Sequence, residues 1–267
     1  MNKLFGYMGS KQKYIDIINS KINESDKKVY TEPFLGSGSI FINLTRQFDK
    51  YYISENQKDI LNIFKWMPQI TVKFAKEYFN KVKKDIDYNT KQGFYEFREY
   101  WNNTLRERYN ELSALGLIIL ITNSINNMAR FGPNGYNQSY GSRYLTDFKK
   151  KRIFNTIKYL GKIKDKIEYF NDYKDCIESL HDSVIFVDPP YYLAPMYTCN
   201  WDEKDTKNML DELNLEDNNV IYTDIENPYG NTRFKNKIEL KKTKKGQTNP
   251  TTGKRKKLLN EIMYFNF

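Results

Sequence analysis

The chain has 267 residues, of which 43 are Lys or Arg and 33 are Asp or Glu, giving a net charge of +10 and a pI of about 9.2. Hydrophobic residues make up 39%, which supports a core without disulfides, and no apolar run approaches the ~20 residues of a membrane span. These values exclude a membrane-spanning protein and predict a cytoplasmic one without a signal peptide; the charge favours a polyanionic partner, although a lysine-rich solvated surface would also explain it.

The first 66 residues alternate between helical and strand patterns. A helical spacing of apolar residues covers Lys11–Ile22, and a strand pattern covers Lys28–Phe34. A glycine turn and an apolar run then predict a helix over Ile40–Leu44. Tyr51–Ser54 predicts a second strand, and the next helix is predicted over Asp59–Trp66. This order of elements is typical of the start of a parallel α/β sheet.

Helical patterns dominate from Pro68 to Lys162. Helices are predicted over Val72–Lys84, Phe94–Arg108 and Ser113–Ile125, followed by the turn-rich segment Asn126–Arg143. Strand patterns then return at Ile167–Phe170, Ser183–Val187, Asn219–Thr223, Ile238–Lys242 and Ile262–Phe265. The second of these is a continuous apolar run, as expected of a central parallel strand covered on both faces. We therefore predict one α/β domain split by a helical insertion.

The strongest chemical motif is Asp188-Pro189-Pro190-Tyr191, directly after that buried strand. Ligands of open α/β sheets bind beyond the carboxyl ends of the strands, so these residues lie where chemistry is expected. An aromatic amine is a poor nucleophile because its lone pair is delocalised. A carboxylate (Asp188) and a rigidly held carbonyl (Pro189) can accept its two N–H bonds and direct the lone pair at a methyl donor. Tyr191 offers a face for a base swung out of a duplex.

A second motif, Glu32 to Gly38, places two glycines between a strand and a helix, where a ligand can approach the backbone closely. It lacks the G-x-G-x-x-G pattern of dinucleotide sites, so no phosphate is implied. Glu55 ends the next strand, where a carboxylate can accept both hydroxyls of a ribose. These features suit a nucleoside cofactor with an amino-acid tail.

In this order, three motifs resemble those of Dam-like, adenine-specific (N6) DNA methyltransferases: Tyr7-Met8-Gly9-Ser10-Lys11, Glu32–Gly38 and Asp188–Tyr191. The segment Asn127–Arg143 is similar to the DNA-recognition hairpin of that family. The resemblance covers nearly the whole chain. It implies a Rossmann-like class I methyltransferase sheet formed by residues 1–61 and 166–267. It also implies a mostly helical DNA-recognition insertion formed by residues 62–165, with the hairpin near 126–143.

The resemblance also implies the role of individual residues, with S-adenosylmethionine as cofactor and double-stranded DNA as partner. The catalytic set is Asp188, Pro189, Pro190 and Tyr191, with Tyr191 stacking on the flipped adenine. The cofactor-binding set is Tyr7, Gly9, Lys11, Phe34, Gly36, Ser37, Gly38, Glu55, Asp172 and Asp188. The DNA-binding set is Asn127, Met128, Arg130, Asn134, Asn137, Tyr140 and Arg143. The implied reaction is direct methyl transfer with base flipping, without a covalent enzyme intermediate.

The hairpin departs from the family pattern at Gly132, where Asn is usual, and at Ser139, where Pro is common. A GATC-like target is implied, but these departures leave the exact site open. Arg130 and Arg143 are suited either to guanine or to phosphate. With a single histidine, His181, the chain cannot build a multi-histidine site, and we expect no metal.

Several alternatives remain open at this stage. The acceptor could be the amine of cytosine or of adenine in RNA, or the chain could bind DNA without catalysis. A role in restriction–modification, repair or transcriptional regulation is equally compatible with the sequence, and we expect a monomer or weak dimer. The segment Arg233–Lys257 holds eleven Lys or Arg and one acid, Glu239, which favours phosphate contact over a solvated surface only slightly. The loop Ala194–Asn200, with Tyr197 and Cys199, is expected to close over the base with Trp201, or to pack on the core.

Overall fold

A computed structural model describes residues 4–7, 9–178, 181–192, 201–241 and 260–267. Some of the predicted segments fall wholly or partly outside the described residues: Met8 of the N-terminal motif, the loop 194–200, the end of the predicted strand at residue 242, and the basic segment beyond residue 241.

A seven-stranded sheet forms the centre of the fold, in the order β5-β2-β1-β6-β7-β9-β8. The strands are β1 (Val29–Glu32), β2 (Lys50–Ser54), β5 (Ile167–Phe170), β6 (Ser183–Val187), β7 (Asn219–Ile225), β8 (Asn236–Lys241) and β9 (Glu261–Phe265). The first five strands of this order are parallel, whereas β9 runs antiparallel to both β7 and β8. The expected α/β class with a mostly parallel sheet is confirmed, and the antiparallel strand of the sheet is β9.

The sheet centre is apolar because its strands are covered on both faces. All five residues of β6 are buried, in agreement with the continuous apolar run in the sequence. Its neighbour β1 pairs with it in parallel, with Tyr30 opposite Val184. Because β1, β2, β6 and β7 all point the same way, their carboxyl ends share one edge of the sheet.

Nine α-helices lie among the described residues: α1 (Ile15–Glu24), α2 (Lys58–Trp66), α3 (Val72–Asp85), α4 (Lys91–Tyr100), α5 (Glu111–Asn123), α6 (Asp147–Ile163), α7 (Tyr173–Glu178), α8 (Glu203–Glu212) and α9 (Pro228–Arg233). Helix α5 is buried along residues 113–123 and packs against α2, α3 and α4. Helix α2 spans the boundary that we predicted near residue 61, between the catalytic domain and the helical insertion. It contacts α5 and also strand β5, where the Tyr169 hydroxyl donates to the Phe64 carbonyl. Within the described ranges no helix combines the length and apolar composition needed to cross a bilayer.

Two of the predicted helices are wrong in extent. The run Ile40–Leu44 forms only a single 3-10 turn, Phe41–Asn43. The Asn43 side chain donates to the Ser39 carbonyl, and Asn19 donates to the Asn43 carbonyl, so side chains occupy the acceptors that a longer helix would use. The helix predicted over Phe94–Arg108 ends at Tyr100 and continues as a π-type turn, Trp101–Leu105, and a 3-10 turn.

Candidate active site and nucleic-acid interface

The motif that follows β6 lies against the N-terminal motif, 177 residues away in sequence. The Lys11 ammonium is 2.6 Å from Asp188 Oδ1 and 2.8 Å from Oδ2, and it also donates to the Gly9 carbonyl at 2.8 Å. The Lys11 side chain is 1% exposed and that of Asp188 is 16% exposed. This ion pair is therefore largely shielded from water. Its two charges interact more strongly there than they would in bulk solvent.

Tyr191, Thr223 and Glu261 lie around this ion pair. We name the five residues together the Asp188 cluster: Lys11, Asp188, Tyr191, Thr223 and Glu261. The Thr223 hydroxyl donates to Asp188 Oδ1 at 2.8 Å. The Tyr191 hydroxyl lies 3.2 Å from Asp188 Oδ1 and 3.1 Å from Glu261 Oε1. Lys11 comes from the N-terminal motif, whereas the other four residues lie in or next to β6, β7 and β9, which the sheet brings together at one edge.

Tyr191 and the two prolines of the Asp188–Tyr191 motif lie around this cluster. Tyr191 is 9% exposed, and the Lys11 ammonium lies 4.9 Å from its ring centroid. Pro189 is buried and Pro190 is partly exposed. Burial raises the pKa of the Asp188 carboxyl, and the Lys11 ammonium opposes that rise.

Two more carboxyls are buried along the same edge of the sheet. Burial raises the pKa of Glu32, at the end of β1, to about 8, although Tyr30 donates a hydrogen bond to it at 2.7 Å. Burial likewise raises the pKa of Asp224, at the end of β7, to about 7. Asp224 accepts from Asn227 at 3.0 Å and from the Tyr222 hydroxyl. The Asp188 charge contributes to both of these pKa shifts.

The glycine turn after β1 has the geometry that only glycine adopts without strain. Gly36 and Gly38 have φ of +52° and +62°. A Cβ on Gly38 would come within 2.6 Å of the Phe64 ring, and one on Gly36 within 3.0 Å of the Tyr7 ring. The hydroxyl of the buried Ser37 lies 3.4 Å from the hydroxyl of Ser10. The turn is thus wedged between the N-terminal motif and helix α2.

The Glu55 carboxylate lies directly under this turn. It accepts from the Gly36 N–H at 2.8 Å and from the Gln57 N–H at 2.9 Å. Burial raises the pKa of Glu55, and these two hydrogen bonds oppose the shift.

Three aromatic rings lie together beside the glycine turn. Phe34 stacks on Tyr173 with ring centroids 5.0 Å apart, and Trp201 meets both rings edge-on at 5.5 and 5.7 Å. Asp172, next to Tyr173, is exposed, and its carboxylate accepts from the Lys174 N–H at 2.9 Å, at the start of α7. Tyr173 and Trp201 were not among the cofactor residues predicted from the sequence.

The segment 126–143 contains the expected hairpin, β3 (Phe131–Gly132) and β4 (Gly135–Tyr136). Exposed Asn134 lies in its turn, and exposed Arg130 donates through Nε to Asn137 Oδ1 at 2.9 Å. We name this segment the 126–143 hairpin. Its turn is a surface with exposed polar side chains.

The 126–143 hairpin is anchored through its backbone. Asn102, in the π-type turn after α4, donates to the Tyr136 carbonyl at 3.0 Å and accepts from the Tyr136 N–H at 2.8 Å. Arg98 donates to the Gln138 carbonyl at 3.0 Å. The amide of Asn102 therefore pairs with the hairpin as a neighbouring strand would, and π-type turns are frequent at functional sites.

The base of the 126–143 hairpin touches the N-terminal motif. Gly6 pairs with Met128 as an isolated parallel bridge, and the Gly6 N–H donates to the Asn127 carbonyl at 2.8 Å. The Lys149 ammonium also donates to Asn127 Oδ1 at 3.2 Å. The N-terminal segment thus contacts the hairpin through Gly6 and the Asp188 carboxylate through Lys11.

The remaining predicted DNA-binding residues occupy different environments. The Tyr140 hydroxyl donates to the Asn89 carbonyl, and its ring packs on Phe94. Arg143 is exposed, and its charge helps burial to lower the pKa of Lys149. Arg143 therefore belongs to a locally positive surface, whereas Tyr140 has a packing role.

Comparison with known proteins identifies the chain. Residues 7–247 match the family described as D12 class N6 adenine-specific DNA methyltransferase. The chain belongs to this family. The matched segment contains Lys11, the glycine turn, the 126–143 hairpin and Asp188, so the resemblance inferred from the motifs is confirmed.

Individual relatives of this D12 class protein are distant. The DNA adenine methylase of Escherichia coli (strain K12) is 26% identical over 195 residues, covering 71% of this chain and 64% of that protein. That of Vibrio cholerae is 26% identical over 202 residues, covering 72% and 65%, and that of Serratia marcescens is 24% identical over 192 residues, covering 71% and 66%. Each alignment spans slightly less than two thirds of the relative. An rRNA methyltransferase from Streptomyces viridochromogenes aligns with a TM-score of 0.36 and 10% identity over 95% of this chain and 83% of that one, which supports no inference.

Several site residues of this D12 class protein carry no sequence signal. Thr223 is the last residue of a predicted strand, Glu261 directly precedes another, and Asn102 lies in what the sequence predicts as helix interior. Only the strand order, which brings the ends of β7 and β9 beside β6, could have identified the first two. Among the described residues, no group of three or more His, Cys, Asp or Glu side chains is arranged to hold a metal ion.

Proposed function

We propose that this protein uses S-adenosylmethionine to methylate the N6 amine of adenine in double-stranded DNA, with the target base flipped out of the helix. We further propose that it works without a metal ion, in the cytoplasm, as a monomer or weak dimer. The observation that supports this most is the position of Asp188. Its shielded carboxylate lies at the end of β6, ion-paired with Lys11, at the same sheet edge as the glycine turn.

The residues around the glycine turn fit S-adenosylmethionine, which supplies a methyl group activated by a sulfonium. Phe34, Tyr173 and Trp201 offer flat apolar faces for its adenine, and we assign Asp172 to that end because it adjoins Tyr173. Glu55 fits the ribose hydroxyls because each of its oxygens retains a lone pair beyond the backbone N–H that it accepts.

The methionine end of the cofactor fits the narrow turn and the segment wedged on it. We assign it to the residues of the two motifs that meet there: Tyr7, Gly9, Lys11, Gly36, Ser37 and Gly38. The close approach of the two motifs supports this assignment, since a side chain at Gly36 or Gly38 would displace a neighbouring ring.

The catalytic residues hold the target amine. Asp188 accepts one N–H of the adenine amine and the Pro189 carbonyl accepts the other, so the lone pair points at the methyl group. Pro190 stiffens this turn, and Tyr191 provides the face for the flipped base. No side chain in this scheme bonds covalently to the base.

We propose a division of labour within the chain: residues 1–61 and 166–267 bind the cofactor and catalyse, and residues 62–165 recognise DNA. Arg130 reads a base edge, because Asn137 fixes the plane of its guanidinium for bidentate contact. Arg143 grips phosphate, because its surroundings are positive and it is exposed. Asn127, Met128, Asn134 and Tyr140 shape the surface between them, and a GATC-like duplex site is the target we propose.

The test is transfer of labelled methyl from S-adenosylmethionine to a mixed-sequence duplex, followed by nucleoside analysis and mapping. We expect N6-methyladenine at one short recurrent site. Label on cytosine, or label on RNA alone, would replace the proposed acceptor. Cofactor and duplex binding without any label would make the protein a silent DNA-binding member of the family.

A further inference from the structure

Glu261 reaches the catalytic edge through a strand reversal. It is the first residue of β9, which runs antiparallel to β7 and pairs Glu261 with Ile225. The start of an antiparallel strand lies at the carboxyl end of its parallel neighbours. Glu261 therefore lies beside Asp188, although it stands outside the residues matched to the family.

Both oxygens of Glu261 are engaged by the Asp188 cluster and one neighbour. Oε1 lies 3.1 Å from the Tyr191 hydroxyl and 3.4 Å from the Lys11 ammonium, and Oε2 accepts from the Tyr14 hydroxyl at 3.1 Å. The side chain is 22% exposed. Glu261 is thus a second anion within reach of Lys11, held in place by tyrosines on either side.

The hydrogen bonds of Asp188 explain why a second anion is needed. Its Oδ1 is approached by Lys11 at 2.6 Å, Thr223 at 2.8 Å and Tyr191 at 3.2 Å. A carboxylate oxygen has about two lone-pair sites, so Oδ1 is saturated and a substrate N–H must be accepted at Oδ2. Lys11 already lies 2.8 Å from Oδ2. The ammonium takes one of the two lone-pair sites of Oδ2, and a second anion is needed to hold it away from the site that remains for the substrate amine.

We propose that Glu261 is a positioning residue that attracts the Lys11 ammonium and the Tyr191 hydroxyl towards its own side of Asp188, which keeps one acceptor site of Oδ2 open for the substrate amine. This inference rests on the proposed role of Asp188 in orienting that amine. Glu261 also balances charge, because a shielded site that takes a sulfonium beside Lys11 holds two cations and requires two carboxylates. Glu261 touches neither the reacting nitrogen nor the methyl group, so it acts through Lys11 and Tyr191.

The test compares wild type, Glu261→Gln and the matched control Glu226→Gln. Glu226 loses the same charge and borders β9 through its N–H to the Asn260 carbonyl, but its carboxylate pairs with Lys237 on the surface. We expect Glu261→Gln to lower kcat by about 10- to 100-fold, the effect of losing one charged hydrogen bond in the transition state. KM for cofactor and for DNA should stay within about 3-fold, because ground-state binding is retained. The control should match wild type.

A double-mutant cycle separates this role from a structural one. In a Lys11→Met background, measured under single-turnover conditions, Glu261→Gln should cause a much smaller further loss than in wild type, because the route through Lys11 is already removed and only the route through Tyr191 remains. Additive losses, an unchanged kcat, or a raised KM with kcat retained would each overturn the proposal. Should Glu261→Gln fold poorly, Tyr14→Phe loosens the same carboxylate, and it should lower kcat by about 3- to 10-fold with KM retained. An inactive wild type would instead contradict the proposed function and remove the basis of this inference with it.

Discussion

The Asp188 cluster and the 126–143 hairpin are held in place differently, the first by contacts between side chains and the second by contacts to its backbone. In the cluster, side chains fix one another: Lys11, Thr223 and Tyr191 all approach one carboxylate, and little of it is exposed. In the hairpin, the backbone is fixed by Asn102 and Arg98, while the polar side chains of its turn stay at the surface. Catalysis requires charged groups that keep their positions during the reaction. Recognition requires exposed side chains that can contact DNA from a rigidly held backbone.

The largest expected effect comes from a substitution in the Asp188 cluster. Asp188→Asn keeps the shape of the side chain but removes its charge, and its amide presents N–H groups beside Lys11. We expect single-turnover methyl transfer to fall by about 100- to 1000-fold, the usual cost of removing one preorganised polar group. Binding of a duplex should remain, as a filter or fluorescence titration would show. A rate close to that of wild type would remove Asp188 from catalysis.

Arg130 and Arg143 test the role of the 126–143 hairpin in DNA recognition. Arg130→Ala should cost about 1–3 kcal/mol of discrimination at one base pair and leave binding to unrelated duplexes nearly unchanged. Arg143→Ala should weaken binding to every duplex alike and lower the slope of log K against log salt by about 1. The measurement is a titration of target and altered duplexes at several salt concentrations. Exchanged behaviour of the two variants would reverse our assignment of base and phosphate contacts.

Asn102 tests whether the fixed backbone matters for recognition. Asn102→Ala leaves the Tyr136 N–H and carbonyl without their amide partner, at a cost of about 1–3 kcal/mol. We expect the ratio of methylation rates on target and altered duplexes to fall about 5-fold or more, while cofactor binding is retained. Thr104, exposed in the same π-type turn, provides the control variant Thr104→Ala. Equal effects of both variants would mean that the turn, and not the amide, supports the hairpin.

The last prediction concerns the stability of the folded chain and its dependence on pH, and its effect on methyl transfer is expected to be the smallest. Because the pKa of Glu32 is raised to about 8 from 4.5, the folded chain holds a proton between those values that the unfolded chain has lost. Its contribution to stability is therefore present below pH 4.5 and is lost as pH rises to about 8, by up to about 1.4 kcal/mol per unit. Denaturant unfolding from pH 5.5 to 7.5 should show this loss in wild type and a flatter profile in Glu32→Gln. Parallel profiles would mean that Glu32 is ionised in the folded protein.

The sequence revealed those parts of the site that lie in continuous motifs. Asp188 follows a run of apolar residues that marks a buried strand, and the rule that ligands bind at strand ends placed it correctly in the fold. The two glycines predicted a close approach that their positive φ values now explain. The parallel direction of β1, β2 and β6 was predicted from the alternating strand and helix patterns and from the apolar run of β6, whereas their order in the sheet was not.

The rest depends on contacts between distant segments, which single-sequence patterns do not carry. Glu261 enters the site only because β9 reverses beside β7, and Asn102 faces the hairpin only because α4 ends in a π-type turn. The short run Ile40–Leu44 misled because apolar residues are buried equally in a helix and in a single turn, so their periodicity does not distinguish the two. The roles of individual cofactor and DNA residues stay predictions.

One crossed measurement tests the central claim most directly, namely that methyl transfer and target recognition reside in separate, differently ordered regions. Asp188→Asn and Arg130→Ala are assayed side by side for single-turnover methyl transfer at saturating duplex and for discrimination between target and altered duplexes. The account predicts that Asp188→Asn loses transfer but keeps discrimination in binding, and that Arg130→Ala keeps its maximal rate on the target but loses discrimination. Loss of both properties in either variant, with the fold intact, would contradict it.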